Sequence, residues 1–192
     1  MVDRQSALAA HRRPQQTSFD GATGVSFSEV RAFSLVQIAA WPETLHSVGV
    51  TATKLAGCDA APAPGRAVFE GTRTLMRVEP LKWWVLSEAP QDASSLPALE
   101  ATQGAVLDLS HSRTWLRVSG EKVAPLLNHY LPINLSDRAF PAGSLATTAM
   151  HHIGVTLWRD EDAFNLLLPR SFASSLFELF TESASQYGYK FT

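Results

Sequence analysis

The sequence predicts an α+β fold in which two similar halves pack as one unit. One order of predicted elements, strand–helix–strands–helix–strand, occurs twice along the chain with an offset of about 80 residues. The strand that contains Trp83 and Trp84, for example, corresponds to the apolar run 164–168. Short apolar runs typical of strands also outnumber the helical stripes. A sheet with helices on one face must bury that face, so the two halves are expected to pack together.

The first half begins with a strand followed by a helix. Residues 33–41 are mostly apolar, as a buried strand requires. Pro42 suits the first position of a helix, and Gly49 suits the position just past its end. Beyond a loop at 57–65, the pattern predicts three strands, a short helix and a further strand, at residues 66–70, 74–79, 82–87, 95–102 and 105–109.

The second half repeats this order with a clearer pattern. A strand at 114–118 precedes a helix whose apolar stripe consists of Val123, Leu126, Leu127, Tyr130 and Leu131. The later elements are three strands and a helix, at residues 144–150, 153–158, 163–168 and 172–187. Gly188 suits the position that ends the last helix.

Residues 1–24 are polar and predict a loose N-terminal tail, with an arm that orders on a partner as the alternative. Residues 25–192 are expected to form a single α+β domain of two halves, at about 25–110 and 111–192. The N-terminus has no apolar stretch like a secretion signal.

Composition excludes several classes of function. The formal net charge of −2 gives no electrostatic reason to expect nucleic acid or an anionic membrane as a partner. No apolar run approaches the roughly 20 residues that span a bilayer. Cys58 is the single cysteine, so neither an internal disulfide nor a cysteine metal cage can form, and a cytoplasmic location is expected.

Three polar clusters are candidates for catalytic or metal sites. Asp108, Ser110 and His111 suggest a hydrolase, but side chains alternate along a strand, so His111 points away from the other two. The adjacent pair His151-His152 diverges for the same reason and fits a hairpin better than a metal site. The acidic run 160–162 lacks the spacing of a calcium loop and predicts a solvated turn. No glycine pattern typical of nucleotide binding is present, so no catalytic, cofactor-binding or metal-binding residues are predicted.

Four residues are candidates for contacts with a partner chain. Trp83 and Trp84 face opposite sides of a predicted strand, so one of them can be core while the other is exposed or anchors an interface; the other interpretation is two sheet-packing tryptophans. Arg113 and Arg170 are the other two candidates.

The densest motifs resemble a known family. The segment 108–120 (DLSHSRTWLRVSG), followed by Val123-Ala124 and Leu126-Leu127, resembles the gamma subunit of heterotetrameric sarcosine oxidase. The later segments 139–144 (AFPAGS), 159–166 and 169–173 (PRSFA) continue the likeness, which covers roughly residues 30–185. The wider group to which the chain is similar is the aminomethyltransferase fold of the glycine-cleavage T-protein, which binds folate.

The resemblance implies a complex of alpha, beta, gamma and delta subunits. That complex oxidatively demethylates sarcosine to glycine, yields hydrogen peroxide, and releases the carbon as formaldehyde or passes it to tetrahydrofolate. The resemblance implies that the other subunits hold FAD, FMN, NAD, zinc and tetrahydrofolate, and that gamma packs on alpha and stabilises it.

The acidic pair that acts near folate in the T-protein group would fall near residues 153–156, which are Ile-Gly-Val-Thr. Without a carboxylate there, the chain lacks the acid–base group for chemistry at a folate amine. The alternative function is a free-standing folate-dependent aminomethyl or demethylating transferase. The missing carboxylate counts against this alternative.

Overall fold

A computed structural model describes residues 5–11, 23–91 and 95–192. Three α-helices are present in these ranges: α1 (Leu45–Ala56), α2 (Val123–Asn128) and α3 (Ala173–Ala184). Short 3-10 helices occur at Ala9–His11, Pro42–Thr44, Arg170–Phe172 and Ser185–Tyr187. The strands are β1 (Val25–Val30), β2 (Ser34–Ala40), β3 (Ala67–Glu70), β4 (Arg73–Glu79), β5 (Lys82–Ser87), β6 (Gly104–Asp108), β7 (Arg113–Ser119), β8 (Leu145–Met150), β9 (Ile153–Arg159), β10 (Phe164–Pro169) and β11 (Tyr189–Phe191).

The chain divides into two units. The first consists of Met1–Arg31, Ser112–Ala142 and Thr147–Thr192, and the second of Ala32–His111 and Gly143–Ala146. This division differs from a single cut near residue 110. The physical reason is that β1 pairs antiparallel with β7 over five residue pairs, which places the 25–30 segment in the sheet of the first unit.

The first unit contains a six-stranded sheet in the order β11-β1-β7-β10-β9-β8. Its core includes the α3 side chains that the apolar stripe predicts. The fully buried ring of Phe27 on β1 packs edge-on against Phe177, with ring centroids 5.3 Å apart, and stacks near Phe180. Burial of such large aromatic side chains is the main stabilising contribution to the unit.

The second unit contains a five-stranded sheet in the order β3-β4-β5-β2-β6, with α1 packed on it. Alternate residues of β2 face the helix because side chains alternate along a strand. The resulting core joins strand residues to one side of α1, and its buried members are Val36, Ile38, Ala40, Val48, Ala52, Ala56, Leu75, Trp83 and Val85.

The two sheets share one strand order, which confirms the predicted α+β fold of repeated halves. Reading β6-β2-β5-β4-β3 against β1-β7-β10-β9-β8 gives each strand of the second sheet a counterpart in the first, which has β11 in addition. The match extends to side chains: the Arg77 guanidinium lies over the Trp83 ring at 5.4 Å, and that of Arg159 lies over the Phe164 ring at 5.0 Å. Both are cross-strand pairs, from β4 to β5 and from β9 to β10.

By strand position, the repeats consist of β1–β5 and β6–β10, and the first strand of each lies in the sheet formed by the other strands of its counterpart. In chain order, β1 precedes β2 and β6 precedes β7. In space, β1 pairs with β7 and β6 pairs with β2. The two repeats are therefore linked by an exchange of strands, which no periodicity in the sequence indicates.

Two helix predictions are wrong: the end of the first helix before Gly49, and the helix at 95–102. Helix α1 continues through Gly49 to Ala56, and Gly57 follows in the left-handed conformation. Gly49 is a packing position, because a Cβ there would contact the Trp83 ring at 3.4 Å. Residues 95–102, for which a helix is predicted, form no α-helix and are mostly irregular. Leu96 and Leu99 nevertheless pack against the core of the second unit.

Part of the segment interpreted as a tail packs on the first unit. Leu8 is fully buried, and its N–H donates to the Ser6 hydroxyl at 3.0 Å. Ser6 in turn donates to the Glu29 carboxylate, and His11 Nε2 lies 2.6 Å from the Ser174 hydroxyl. The remainder of residues 1–24, apart from Thr23 and Gly24, lies outside the described residues.

We expect Leu8→Ala to lower the free energy of unfolding by about 2 kcal/mol, the lower end of the range for a buried leucine. The cost is at the lower end because the 5–11 segment can detach locally instead of leaving a cavity. Urea denaturation measures the effect. Ala10→Ser, at an exposed position of the same 3-10 helix, is the control. Equal stabilities of the two variants would contradict the packing of Leu8.

Candidate functional site

The cluster formed by Asp108, Ser110 and His111 shapes a turn at the end of β6. The Asp108 carboxylate accepts hydrogen bonds from the Ser110 N–H at 2.8 Å and from its hydroxyl at 2.5 Å. The Ser110 hydroxyl oxygen also accepts from the Leu35 N–H at 3.0 Å. Because the hydroxyl is held by the turn and by β2, Ser110 has no geometry suited to a nucleophile.

His151 and His152 form the turn between β8 and β9, where a hairpin was predicted. Their backbone φ angles are 46° and 69°, and both side chains are exposed. Within the described ranges, no three His, Cys, Asp or Glu side chains come close enough to hold a metal ion.

The acidic run 160–162 contains one structural carboxylate. Asp160 Oδ1 accepts the N–H groups of Asp162 and Ala163, at 2.9 and 2.7 Å. Its other oxygen accepts from Arg117 at 3.0 Å and from the side-chain amide of Asn165 at 2.8 Å. Two of these bonds close the β9–β10 turn, and the other two tie it to strands β7 and β10.

Asn165 extends this network into the first sheet. It is fully buried, and its carbonyl oxygen accepts the Trp115 indole N–H at 2.9 Å. A buried amide needs such partners because leaving it unpaired costs about 1–3 kcal/mol. The chain Arg117–Asp160–Asn165–Trp115 is thus a structural element, and sequence reasoning found only its surface turn.

Residues 153–156 lie at the start of β9. Gly154 is exposed, and nothing lies within 4 Å of the position of a Cβ there. The segment contributes no carboxylate, so it offers no acidic group for proton transfer.

The candidates for contacts with a partner chain are occupied within their own chain. Trp83 and Trp84 are both buried, and the Trp84 indole donates to Gln37 at 3.0 Å. Arg170 donates to the Gln5 carbonyl. Arg113 donates to the Ser112 carbonyl at 3.2 Å, and its partial burial lowers the pKa of the guanidinium. Neither tryptophan is exposed, which agrees with two sheet-packing tryptophans and not with an interface anchor.

A surface groove of about 570 Å³ lies between α1, the 59–61 loop and β4–β5 of the second unit. Trp83 contributes to the lining of this groove. Its indole N–H has no hydrogen-bond partner among the described residues. Thr53 carries the hydroxyl group in the lining, and this hydroxyl donates to the Val50 carbonyl of the same helix at 2.8 Å. The groove therefore presents no activated nucleophile.

Cys58 lies just after α1 and is partly buried. Burial, and to a lesser extent the nearby carboxylates of Glu70 and Asp59, raise the pKa of its thiol. A raised pKa lowers the thiolate fraction at neutral pH, and the thiolate is the reactive form. Cys58 is consequently a weak nucleophile.

We expect alkylation of Cys58 by iodoacetamide to reach half its plateau rate at a higher pH than alkylation of a short cysteine peptide. In Glu70→Gln the midpoint should move to lower pH, because one carboxylate that raises the pKa is removed. A midpoint at or below that of the peptide would contradict the burial of the thiol.

The largest exposed apolar side chains of the second unit lie elsewhere. Trp41 is 53% exposed and Leu107 on β6 is 51% exposed. The sequence predicts Trp41 at the end of a buried strand, whereas its side chain is exposed. No signal in the sequence indicates which strand lies at the edge of a sheet.

No described helix has the length and hydrophobicity needed to cross a membrane.

Known proteins with similar sequences are gamma subunits of sarcosine oxidase. The subunit from Corynebacterium sp. strain U-96 is 28% identical over 152 residues, which cover 79% of this chain and 74% of that protein. The subunit from Corynebacterium sp. strain P-1 is 37% identical over 79 residues, 41% of this chain and 39% of that protein. The match thus spans well under half the length of the second of these relatives. No protein-family model matches the chain.

Solved structures show the same fold. A chain of heterotetrameric sarcosine oxidase from Corynebacterium sp. U-96, in complex with pyrrole 2-carboxylate, is similar with a TM-score of 0.79 and 22% identity, over 97% of this chain and 96% of that one. Aminomethyltransferase T of the glycine cleavage system from Bartonella henselae is similar with a TM-score of 0.64 and 14% identity, over 88% of this chain and 48% of that one. The predicted resemblance and the predicted T-protein-like fold are both confirmed.

Proposed function

We propose that this chain, similar in sequence and fold to sarcosine oxidase gamma subunits, is the non-catalytic gamma subunit of a heterotetrameric sarcosine oxidase. In this proposal the assembled enzyme oxidatively demethylates sarcosine to glycine and yields hydrogen peroxide together with formaldehyde or methylene-tetrahydrofolate. The chain itself packs on the alpha subunit and stabilises it.

The observation that carries the proposal is the extent of the likeness. Sequence similarity to a gamma subunit covers 79% of the chain, and the fold of a sarcosine oxidase chain covers 97% of it. A match of 152 residues must include parts of both halves, and the structural match covers nearly the whole chain, so the likeness does not rest on one motif.

The geometry of the polar clusters supports a role without catalysis. The Ser110 hydroxyl and the Asp160 carboxylate are held by structural hydrogen bonds. The 153–156 segment has no carboxylate for protonating a folate amine. In these clusters, the Ser110 and Asp160 side chains therefore stabilise turns and contacts between strands.

The partners in this proposal are the alpha, beta and delta subunits, with alpha in most direct contact. FAD, FMN, NAD, zinc and tetrahydrofolate belong to those subunits. A cytoplasmic location agrees with the single, unpaired cysteine.

Co-expression tests the proposal. The chain should co-purify with alpha, beta and delta, and the isolated chain should contain no bound flavin. Mixing with alpha should raise the melting temperature of the chain, because a partner at 100 times its Kd adds about 2.7 kcal/mol to the native state. A stable chain that neither co-purifies nor gains stability from alpha would refute the proposal.

The alternative is a free-standing folate-dependent aminomethyl or demethylating transferase, which the aminomethyltransferase-like fold favours. Calorimetric titration of the isolated chain with a reduced folate discriminates between the two. Saturable binding with turnover of an amine substrate would support the alternative.

A further inference from the structure

Strand β6 is an open edge of the second sheet. In the part of the chain that the structure describes, it pairs only with β2, in five consecutive residue pairs without a bulge. Ala105 and Leu107 point to the same face and are both exposed. The backbone N–H and C=O groups on the outer side of such a strand form a template for another strand.

The edge has none of the features that usually prevent pairing. Soluble proteins block edge strands with charges, proline or bulges. The 104–107 segment is Gly-Ala-Val-Leu, and the only charge on β6 is Asp108 at its end. An uncharged, regular edge is typical of strands that pair with a further strand.

The first sheet shows what occupies the same position in the other repeat. By strand order, β1 stands where β6 stands, and the pair Phe27–Val118 corresponds to the pair Val106–Ile38. The outer side of β1 pairs in parallel with β11, with Val25 opposite Tyr189 and Phe27 opposite Phe191. The second sheet thus has five strands where the first has six.

The exposed tryptophan lies at the same edge. Trp41 directly follows Ala40, which pairs with Gly104 at the start of β6. Its indole donates to the Ala101 carbonyl at 2.9 Å, which holds the ring in place. Rigid, exposed tryptophans are frequent binding hot spots, since little side-chain entropy is lost on contact.

We propose that β6 binds a short extended segment of another subunit, which pairs in parallel with residues 104–106 as β11 pairs with β1. This inference rests on the proposed function as an assembly subunit. The segment carries apolar side chains at alternate positions, as Tyr189 and Phe191 do on β11, and it lies next to Trp41. A segment from a different chain is favoured over a second copy, because two copies related by a two-fold axis perpendicular to the sheet would pair antiparallel.

The test uses the full chain co-expressed with the other three subunits. The double variant Ala105→Lys, Leu107→Lys adds two charges to exposed side chains and should leave the isolated fold intact. We expect at least a tenfold loss of subunits recovered with the tagged chain, while the melting temperature of the isolated chain stays within about 2 °C of wild type. Phe172→Lys, at a 48% exposed position in the first unit, is the matched control and should assemble normally.

Hydrogen exchange gives an independent measurement. The amides of Val106 and Asp108, whose N–H groups point away from β2, should exchange at least tenfold more slowly in the wild-type assembly than in the isolated chain. Unchanged exchange, or assembly of the double variant at the wild-type level, would overturn the proposal. So would a wild-type homodimer that the double variant abolishes. If the wild-type chain fails to recover any subunit, the proposed function fails instead.

Discussion

Gly120→Ala should lower the free energy of unfolding by about 3 kcal/mol or more, combining backbone strain with a steric overlap. Gly120 directly follows β7 and lies beside the start of β1, with a φ of 117°. A Cβ at this position would overlap the carbonyl oxygen of Gly24. That oxygen also accepts the Lys122 N–H at 3.1 Å, so it cannot move away without a further loss. Urea denaturation of the isolated chain measures the change.

Two other glycines separate the causes. Gly71 has a φ of 55° with nothing within 4 Å of the Cβ position, so Gly71→Ala tests strain without overlap and should cost about 1 kcal/mol. Gly154 has neither feature, and Gly154→Ala should be neutral within about 0.5 kcal/mol. If Gly120→Ala were as stable as Gly154→Ala, the close approach of β7 to β1 would be disproved.

Asp160→Ala is expected to cost about 3 kcal/mol, because one substitution leaves several donors without their acceptor. The variant loses the bonds from Arg117 and from the buried amide of Asn165, and both turn N–H groups lose their partner. Asp160→Asn, which retains an acceptor for the turn but not the charge beside Arg117, should have an intermediate stability. Thermal and urea denaturation measure both.

The neighbouring acids provide the controls. Glu161 and Asp162 are exposed in the same turn, and Glu161→Ala and Asp162→Ala should each stay within about 0.5 kcal/mol of wild type. A cost for Asp160→Ala equal to that of its neighbours would show that the network contributes little to stability.

Most strands and the repeat could be predicted from sequence, because periodicity and bounding Gly or Pro residues are local signals. The failures concern tertiary contacts. Local rules predict that a helix ends at Gly49, but this residue lies against Trp83 in the middle of α1. Leu8, a single large apolar residue among alanines in a segment interpreted as a tail, gives no local indication that it is fully buried. Three-residue β11 is too short for a periodic signal, and its pairing with β1 joins distant parts of the chain.

The candidate sites divide in the same way. Alternation along strands does not apply to Ser110 and His111, because β6 ends at Asp108 and both residues lie in the turn that follows. It could not show that both Trp83 and Trp84 are buried, because burial depends on what covers each face of the sheet. The open edge at β6 was missed, since strand order is set by pairing between distant segments.

The exchange of first strands constrains how the chain can fold during synthesis. Strand β1 emerges early, yet its partner β7 is made roughly 90 residues later and β11 later still. Until then β1 has no sheet to join, and the nascent chain carries unpaired apolar strands. Such high contact order slows folding and favours aggregation, so production of this polypeptide should depend strongly on chaperone capacity and growth temperature.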